Sequence, residues 1–587
     1  MDKFLEDWCL SLYFYNGLND PKIIQDLNIF KKKCEDYIQT YEGKISSLSN
    51  EDFLAFLELS DNLQTEEVKI SMYFELMVSL NSHDHAVQRA IEKYNKIFSE
   101  YYSRLIFVDE EYKKIGYNVL IERSKLKIFE PFKNHLVARA NDLKYMLKPD
   151  EEKVYIKLEN ANNTNLYEEF TSAFEFYFNN KRMSESEILE LKYHQNRTVR
   201  KKAFESVAKV YGTKENQIVL GNLYSVVCKQ NIADVELRGY NSVMSSRNLS
   251  EEVSDNTVNK LIEIVEKNYH LYHKFLKKKS VILGLNEMQI YDASAPLPKE
   301  KGNQKYTFRN GWNLYQKTIN KVDPLLAQFS SDMLIRGRMS IFPKPGKTSG
   351  AFAQYSKHTE QFVLINWTDS INDVFTMAHE LGHAFHGHLS KAQKSSVYDT
   401  PLILAETASI FNETLIFETM LKEITNVDER RSVICDKLND LFVTIFKQIA
   451  YTIFERRCHE SFLKNQPLTY SDYNSMWMEE MQKLYGKGVK IDPAILQHGW
   501  SSISHIYDTP FYCYTYAFGN IISLNLYQNY KNTSDKNGFI KKYHKLLSSG
   551  GSDTPENLLY KIFKIKFDDK FYQTAFDNIE DLLKKIK

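Results

Sequence analysis

The sequence predicts a mainly α-helical chain that is too long for a single compact core, and three observations carry this. Only 13 prolines and 21 glycines punctuate its 587 residues, so helix breakers are scarce. Stretches such as IIQDLNIFKKKCEDYI and VNKLIEIVEKNYHLYHKFLKKK set apolar residues three and four apart between charges, the spacing of one helix face. A length of 587 residues exceeds what one hydrophobic core supports, so two or more lobes are expected.

Taken in chain order, residues 1–190 read as an N-terminal helical lobe and 191–587 as a second domain. The polar stretch Lys148–Thr164 marks a soft boundary between them, and His83 and His85, in NSHDHA, read as part of a turn. Strand-like alternation is concentrated in RMSIFPKPGKTSGAFAQYSKHTEQFVLINW, around Gly346, Gly350 and two prolines. A small sheet is therefore expected just before residue 370, with FVLIN, Phe362 to Asn366, as a candidate edge strand.

Composition excludes several functions. The 76 basic and 76 acidic residues cancel, which gives no field for a nucleic acid or an anionic membrane. No run of 18 uncharged apolar residues exists, whereas a spanning helix needs about 20. The start, MDKFLEDWCL, carries acidic residues where a secretory signal needs basic ones, so a cytoplasmic location is expected. The six cysteines are far apart and form no CxxC pair, and are expected to be reduced and mostly buried.

The chemistry begins at His379-Glu380-Leu-Gly-His383. On a helix, residues four apart are separated by roughly 40° around the axis, so both imidazoles leave one face and can bind one ion. Glu380, about 100° further round, reaches a water on the ion, the position of a general base. A zinc site of this kind needs a third protein ligand and an open position. Downstream, LILAETASIFNETL reads as one amphipathic helix whose apolar face carries Glu406 and, two turns on, Glu413. A carboxylate on a buried face needs a partner. Zinc supplies one for Glu406, while Glu413 either orients a ligand imidazole or makes an ordinary salt bridge. The three-histidine pattern HExxHxxGxxH fails, because His386 stands where its glycine and Leu389 where its third histidine would be. His386 and His388 are expected to be neighbours of the site, packed rather than ligating.

These residues resemble a known family. HELGHAFHGH, followed 23 residues after His383 by the glutamate of LAETASIFNE, is similar to the M3 zinc metallopeptidases, and within them to the oligoendopeptidase F group. Tyr291-Asp292 in IYDASAPLP, PKPGKTSGAF and FVLINW precede the zinc helix in that family's order, and HIYDTPFYCYTYAFGN resembles its tyrosine-rich segment. The resemblance is good from about residue 190 onward and fainter before it. It implies a two-lobed, clam-like helical molecule with a deep channel, one Zn2+ per chain at its base, a small β-sheet beside the zinc, and short peptides as substrates. It places Tyr507 and Tyr514 over the zinc. Relatives often carry another histidine before the His-x-Tyr unit, where this chain has Trp500-Ser-Ser-Ile-Ser-His505, so the resemblance supports His505 less than Tyr507.

The expected function is metalloendopeptidase cleavage of oligopeptides. Zinc acidifies a water, Glu380 shuttles its proton to the leaving amine, and Tyr507, Tyr514 and His505 donate to the oxyanion. Pro510 and Gly519 argue that the tyrosine segment is a loop entering a helix rather than a strand. Tyr512 is a substrate contact or a core residue, with Tyr516 open to the same core reading. Gly350, Ala351 and Phe352 either close on a peptide backbone or form a plain hairpin turn. A dipeptidyl carboxypeptidase of the same architecture, and a catalytically silent peptide-binding protein, remain as alternatives, and the oligomeric state, monomer or dimer, is open.

Overall fold

The computed structural model describes residues 5–148, 151–152, 154–155, 166–297 and 306–586. Helices dominate, and local signals set their ends. Asp20 caps the helix Pro21–Tyr41 by accepting the Lys22 N–H, with proline at the first helical position. Capping boxes start the helices Glu185–Glu190 and Tyr470–Tyr485. The 25-residue helix Lys214–Arg238 stops at Gly239, whose φ of 75° places it in the left-handed region. The stretch VNKLIEIVEKNYHLYHKFLKKK forms two helices, Asp255–Lys267 and Tyr269–Ile282, that meet at Asn268. His83 lies in a turn, and His85 opens the helix His85–Arg104 behind the capping carboxylate of Asp84.

The chain separates into two compact units: residues 1–146, 304–420 and 529–565 form one, and 147–303, 421–528 and 566–587 the other. The boundary expected at residue 190 falls inside the second unit, and most of the polar stretch Lys148–Thr164 lies outside the described residues. The first unit joins three stretches of the chain, and its N-terminal stretch packs on the sheet that precedes the residue-370 region. Phe362 shows how. Its ring meets those of Trp8, Tyr13 and Phe14 at 5.4–5.9 Å, and the Trp8 indole donates to the Val363 carbonyl at 2.9 Å.

Among the described residues, seven short strands form three sheets. β1 (Phe176–Phe178) pairs with β2 (Lys181–Met183), and β3 (Met288–Gln289) pairs in parallel with β7 (Val489–Lys490). The third sheet has the order β4 (Met339–Ser340), β6 (Phe362–Leu364), β5 (Phe352–Gln354), with β4 parallel and β5 antiparallel to β6. The expected sheet is thus present, but the expectation that FVLIN is an edge is overturned. β6 is the central strand, with all three residues buried, and an edge belongs to β5. Its unbroken apolar run is that of a strand covered on both faces, where an edge strand alternates.

In the second unit, Tyr224, Phe454, Tyr473 and Trp500 form a buried aromatic centre with ring separations of 5.0–6.3 Å. The six cysteines are free, and all but Cys9 are buried.

Candidate active site

Three helical segments of the first unit build the site: α1 (Ile371–Ser390), α2 (Leu402–Ala405) and α3 (Thr407–Glu423). A capping box at Ser370 and Asp373 fixes the start of α1 two turns before His379. Sequence periodicity predicts one helix from Leu402 through Glu413, but the backbone breaks at Glu406. This residue has φ −80° and ψ 1°, and it stands between a single turn and a long helix. The break points its carboxylate out of the regular α3 stripe and towards α1.

His379 Nε2 and His383 Nε2 lie 3.1 Å apart, and Glu406 Oε2 is 3.4 Å from each. Four-coordinate zinc, with ligand bonds of about 2.0–2.1 Å, separates its ligand atoms by about 3.3 Å. The three atoms therefore already stand at the edges of such a tetrahedron and could hold one metal ion. Their chemistry agrees with their spacing. His379 Nδ1 is 2.5 Å from Glu413 Oε1 and donates to it, which leaves the Nε2 lone pair facing the centre. Two imidazole nitrogens and a carboxylate oxygen directed at one point are a donor set that suits a divalent cation. Burial alone would lower the His379 pKa, but the Glu413 bond and the charges of Glu413, Glu406 and Glu380 lift it to about 9. For Glu406, burial raises the carboxyl, yet the His383 bond and both imidazoles bring it to about 2. The side chains of His379, His383 and Glu406 are 16–26% exposed, so the cluster is not sealed from solvent.

Glu380 is buried beside this centre, and burial raises its carboxyl above the ordinary range against the opposing His379 and His383. That direction suits a proton acceptor working near neutrality.

Several supporting residues escape sequence reasoning. The Ser409 hydroxyl donates to Glu406 Oε2 at 2.7 Å, and the Asn412 amide donates to the Ala378 carbonyl at 3.3 Å. Gly382 permits the approach, because a Cβ there would lie 2.7 Å from the Ala408 oxygen and from Ser409 Cα. The glycine inside the HELGH motif was the available signal. Gly387 similarly receives the Tyr355 ring, whose Cδ2 would be 2.4 Å from an added Cβ. Burial, then the charges of Asp399, Glu406 and Glu380, raise the Tyr355 phenol, which places that ring among the site's carboxylates. His388 packs on Phe329, with ring centres 4.8 Å apart.

The loop before β5 is tied down. Asn366 donates to the carbonyls of Thr348 and Gly350 at 3.0 and 2.8 Å, and Lys347 donates to those of Phe342 and Ile365. Gly350 has φ +78° and open space around a would-be Cβ, so its backbone conformation rather than crowding calls for glycine. Ala351 and Phe352 follow it onto the unpaired side of β5.

The tyrosine segment belongs to the second unit. It is a one-turn helix, His505–Asp508, then a loop into the helix Tyr514–Asn532, as Pro510 suggests. Tyr507 stacks on Tyr167 at 4.1 Å, and the hydroxyls of Tyr507 and Tyr514 are enclosed, without a hydrogen-bond partner among the described residues. His505, Tyr512 and Tyr516 are half-buried and form one cluster. His505 stacks on Tyr512 at 5.4 Å, and Tyr516 meets Tyr512 edge-on at 5.2 Å. Phe511 between them has φ +60°, a conformation that costs a non-glycine residue about 1–2 kcal/mol. Fully buried Glu455 holds it there by accepting the Phe511 N–H at 2.9 Å.

Comparison with known proteins identifies the family. Residues 190–577 match the model of peptidase family M3. A curated relative, an oligoendopeptidase F homolog of Lactococcus lactis, is 26% identical over 94% of this chain and 84% of its own. Among solved structures, a putative peptidase of Chlamydophila abortus superposes with a TM-score of 0.84 at 21% identity, covering 99% of this chain and 98% of the other. Oligoendopeptidase-F of Enterococcus faecium gives 0.66 at 16% identity over 96% and 98%. With a family model that spans both sides of the His379–Glu406 centre, the chain belongs to peptidase family M3 and is a metallopeptidase.

Proposed function

We propose that the chain is a zinc-dependent endopeptidase that hydrolyses internal bonds of short oligopeptides, with His379, His383 and Glu406 as ligands and Glu380 as base and acid. The convergence of two imidazole nitrogens and one carboxylate oxygen at 3.1–3.4 Å, with a buried carboxylate beside them, is the observation that carries this reading. Relatives named oligoendopeptidase F support the substrate class. When bound, zinc supplies a Lewis acid that acidifies water and polarises a carbonyl.

The chain's own residues do the rest. Glu380 removes a proton from the attacking water and delivers it to the departing amine nitrogen, so one carboxylate serves both steps. Glu413 holds His379 in the tautomer whose Nε2 is free. Gly350, Ala351 and Phe352 offer the unpaired side of β5 to the peptide main chain, which binds with little regard for side chains. The expected oxyanion donors His505, Tyr507 and Tyr514 all lie in the second unit, where the hydroxyls of Tyr507 and Tyr514 are enclosed. No helix among the described residues is long and apolar enough to cross a membrane, and we place the enzyme in the cytoplasm, as a monomer or dimer.

In Glu380→Gln, zinc content should persist while cleavage of an internally quenched peptide falls by about 10²–10⁴-fold. Undiminished turnover would end the assignment. Product masses from a longer peptide decide the mode: internal cuts support an endopeptidase, and successive C-terminal dipeptides would replace it with a dipeptidyl carboxypeptidase.

A further inference from the structure

Glu406 is held by a piece of backbone that has little reason to be stable on its own. α2 is a single turn, Leu402–Ala405, preceded by Pro401 and lacking a side-chain cap. Nucleating one helical turn is unfavourable, so its orientation must come from elsewhere in the fold. The demand is strict. A 15° swing acting over the ~4.5 Å from Cα to a carboxylate oxygen moves that oxygen by ~1.2 Å, whereas metal–ligand distances tolerate about 0.2 Å.

The side chain that meets this demand is His386, which lies one turn beyond His383 on α1 and is 3% exposed. Its Nε2 is 3.2 Å from the Thr400 hydroxyl, just before α2. Its ring also lies against the main chain of Ala405, the last residue of α2, a contact that offsets part of the burial lowering the imidazole's pKa to about 4. One ring thus grips both ends of the turn. The Ala405 carbonyl shares its peptide plane with the Glu406 nitrogen, so holding that peptide fixes the direction in which Glu406 leaves the backbone. Ser409 secures the other end of the lever by donating to Glu406 Oε2 at 2.7 Å.

We propose that His386, through Thr400 and the Ala405 main chain, is the positioning residue for the metal ligand Glu406, with Ser409 orienting the carboxylate itself. The proposal rests on the reading that His379, His383 and Glu406 hold the ion. A residue that packs and nothing more would stabilise the fold without tuning the metal, which separates the two roles.

The test is zinc affinity of the full chain, measured by equilibrium competition with a chromogenic chelator, together with the visible spectrum of the cobalt-substituted protein. His386→Phe keeps a buried ring and removes both polar contacts. Zinc binding should weaken about 10–100-fold, as for other residues that orient metal ligands, and the cobalt band should shift or lose intensity. His386→Gln, whose amide can still reach the Ala405 main chain, should recover most of the affinity. Thr400→Val removes one grip at nearly constant volume and should weaken binding several-fold, and it decides the matter if His386→Phe does not fold. Zinc affinity within twofold of wild type in the folded variants, with an unchanged cobalt spectrum, would overturn the proposal even if their melting temperatures fell. His383→Ala is the control for the underlying reading. If that variant bound zinc normally, the ligand assignment would fail and the role of His386 with it.

Discussion

Replacing Gly382 with alanine adds one methyl group where the two helices of the proposed metal site approach closely. The added Cβ would stand 2.7 Å from the Ala408 oxygen, 2.7 Å from Ser409 Cα and 2.8 Å from the Ala408 carbonyl carbon. All three are backbone atoms, which cannot rotate aside as a side chain would. Restoring ordinary contact of about 3.5 Å requires α1 and α3 to part by roughly 0.8 Å. Overpacking of this kind costs about 1–3 kcal/mol, and the better helix propensity of alanine returns about 1 kcal/mol, so the net loss of stability is about 0–2 kcal/mol. The metal centre is less forgiving. Glu406 and Ser409 move with α3, and a shift of that size is about four times the tolerance of a metal–ligand bond. Zinc affinity should therefore fall at least tenfold in a protein that still folds, measured by chelator competition beside a thermal melt. A Gly382→Ala protein that keeps wild-type zinc affinity would refute the argument that helix separation sets the ligand geometry.

Two further expectations concern the second unit. Burial pushes the Glu455 carboxyl up to about 8, against the Phe511 N–H and Arg247, from an ordinary value of 4.5. The folded chain then binds a proton that the unfolded chain releases, so the stability due to Glu455 is complete below about pH 4.5 and is lost as pH rises through about 8, with a slope of at most about 1.4 kcal/mol per pH unit. The melting temperature of the wild type should accordingly decline relative to Glu455→Gln between pH 5 and 8, and parallel profiles would contradict the buried acid. In the tyrosine segment, the hydroxyls of Tyr507 and Tyr514 are buried with no hydrogen-bond partner among the described residues, so Tyr507→Phe and Tyr514→Phe should each leave the fold as stable or raise its stability by about 1–3 kcal/mol. Thermal melts check both, and a clear fall in melting temperature would contradict the enclosed, unpaired phenols.

Much of the first unit's site was legible because its chemistry is local. The four-residue spacing of His379 and His383 needs only helical geometry, and Glu406 stood out as a carboxylate in an apolar run. What the sequence withheld are facts of packing between segments. FVL reads alike as a central or an edge strand until β4 and β5 are seen on either side of β6. The interruption at Glu406 contradicts the periodicity of LILAETASIFNETL, because bonds from α1 outweigh the small propensity advantage of continuing one helix. The tyrosines 507, 512, 514 and 516 carry the same chemistry, and which of them face inward depends on Tyr167, more than 300 residues earlier in the chain. His386 looked inert in sequence because its partners are a hydroxyl and a stretch of main chain that lie beyond the motif.

The seam between α1 and the α2–α3 segment explains why so many of its contacts are polar. Ala378 meets Asn412, His379 meets Glu413, Gly382 meets Ala408 and Ser409, and His386 meets Thr400 and Ala405. Each satisfied hydrogen bond adds only about 1 kcal/mol of net stability, so the seam contributes modestly to holding the unit together. Its leverage lies in the alternatives it forbids. A slip of α3 by one residue would strip Asn412 and Glu413 of their partners on α1 together, and each buried polar group left unmade costs about 1–3 kcal/mol. An apolar seam of the same area would tolerate that slip at small cost, and the Glu406 carboxylate would wander with it. A peptidase that needs three ligand atoms fixed to within a few tenths of an ångström gains more from this penalty on wrong registers than from added cohesion in the right one.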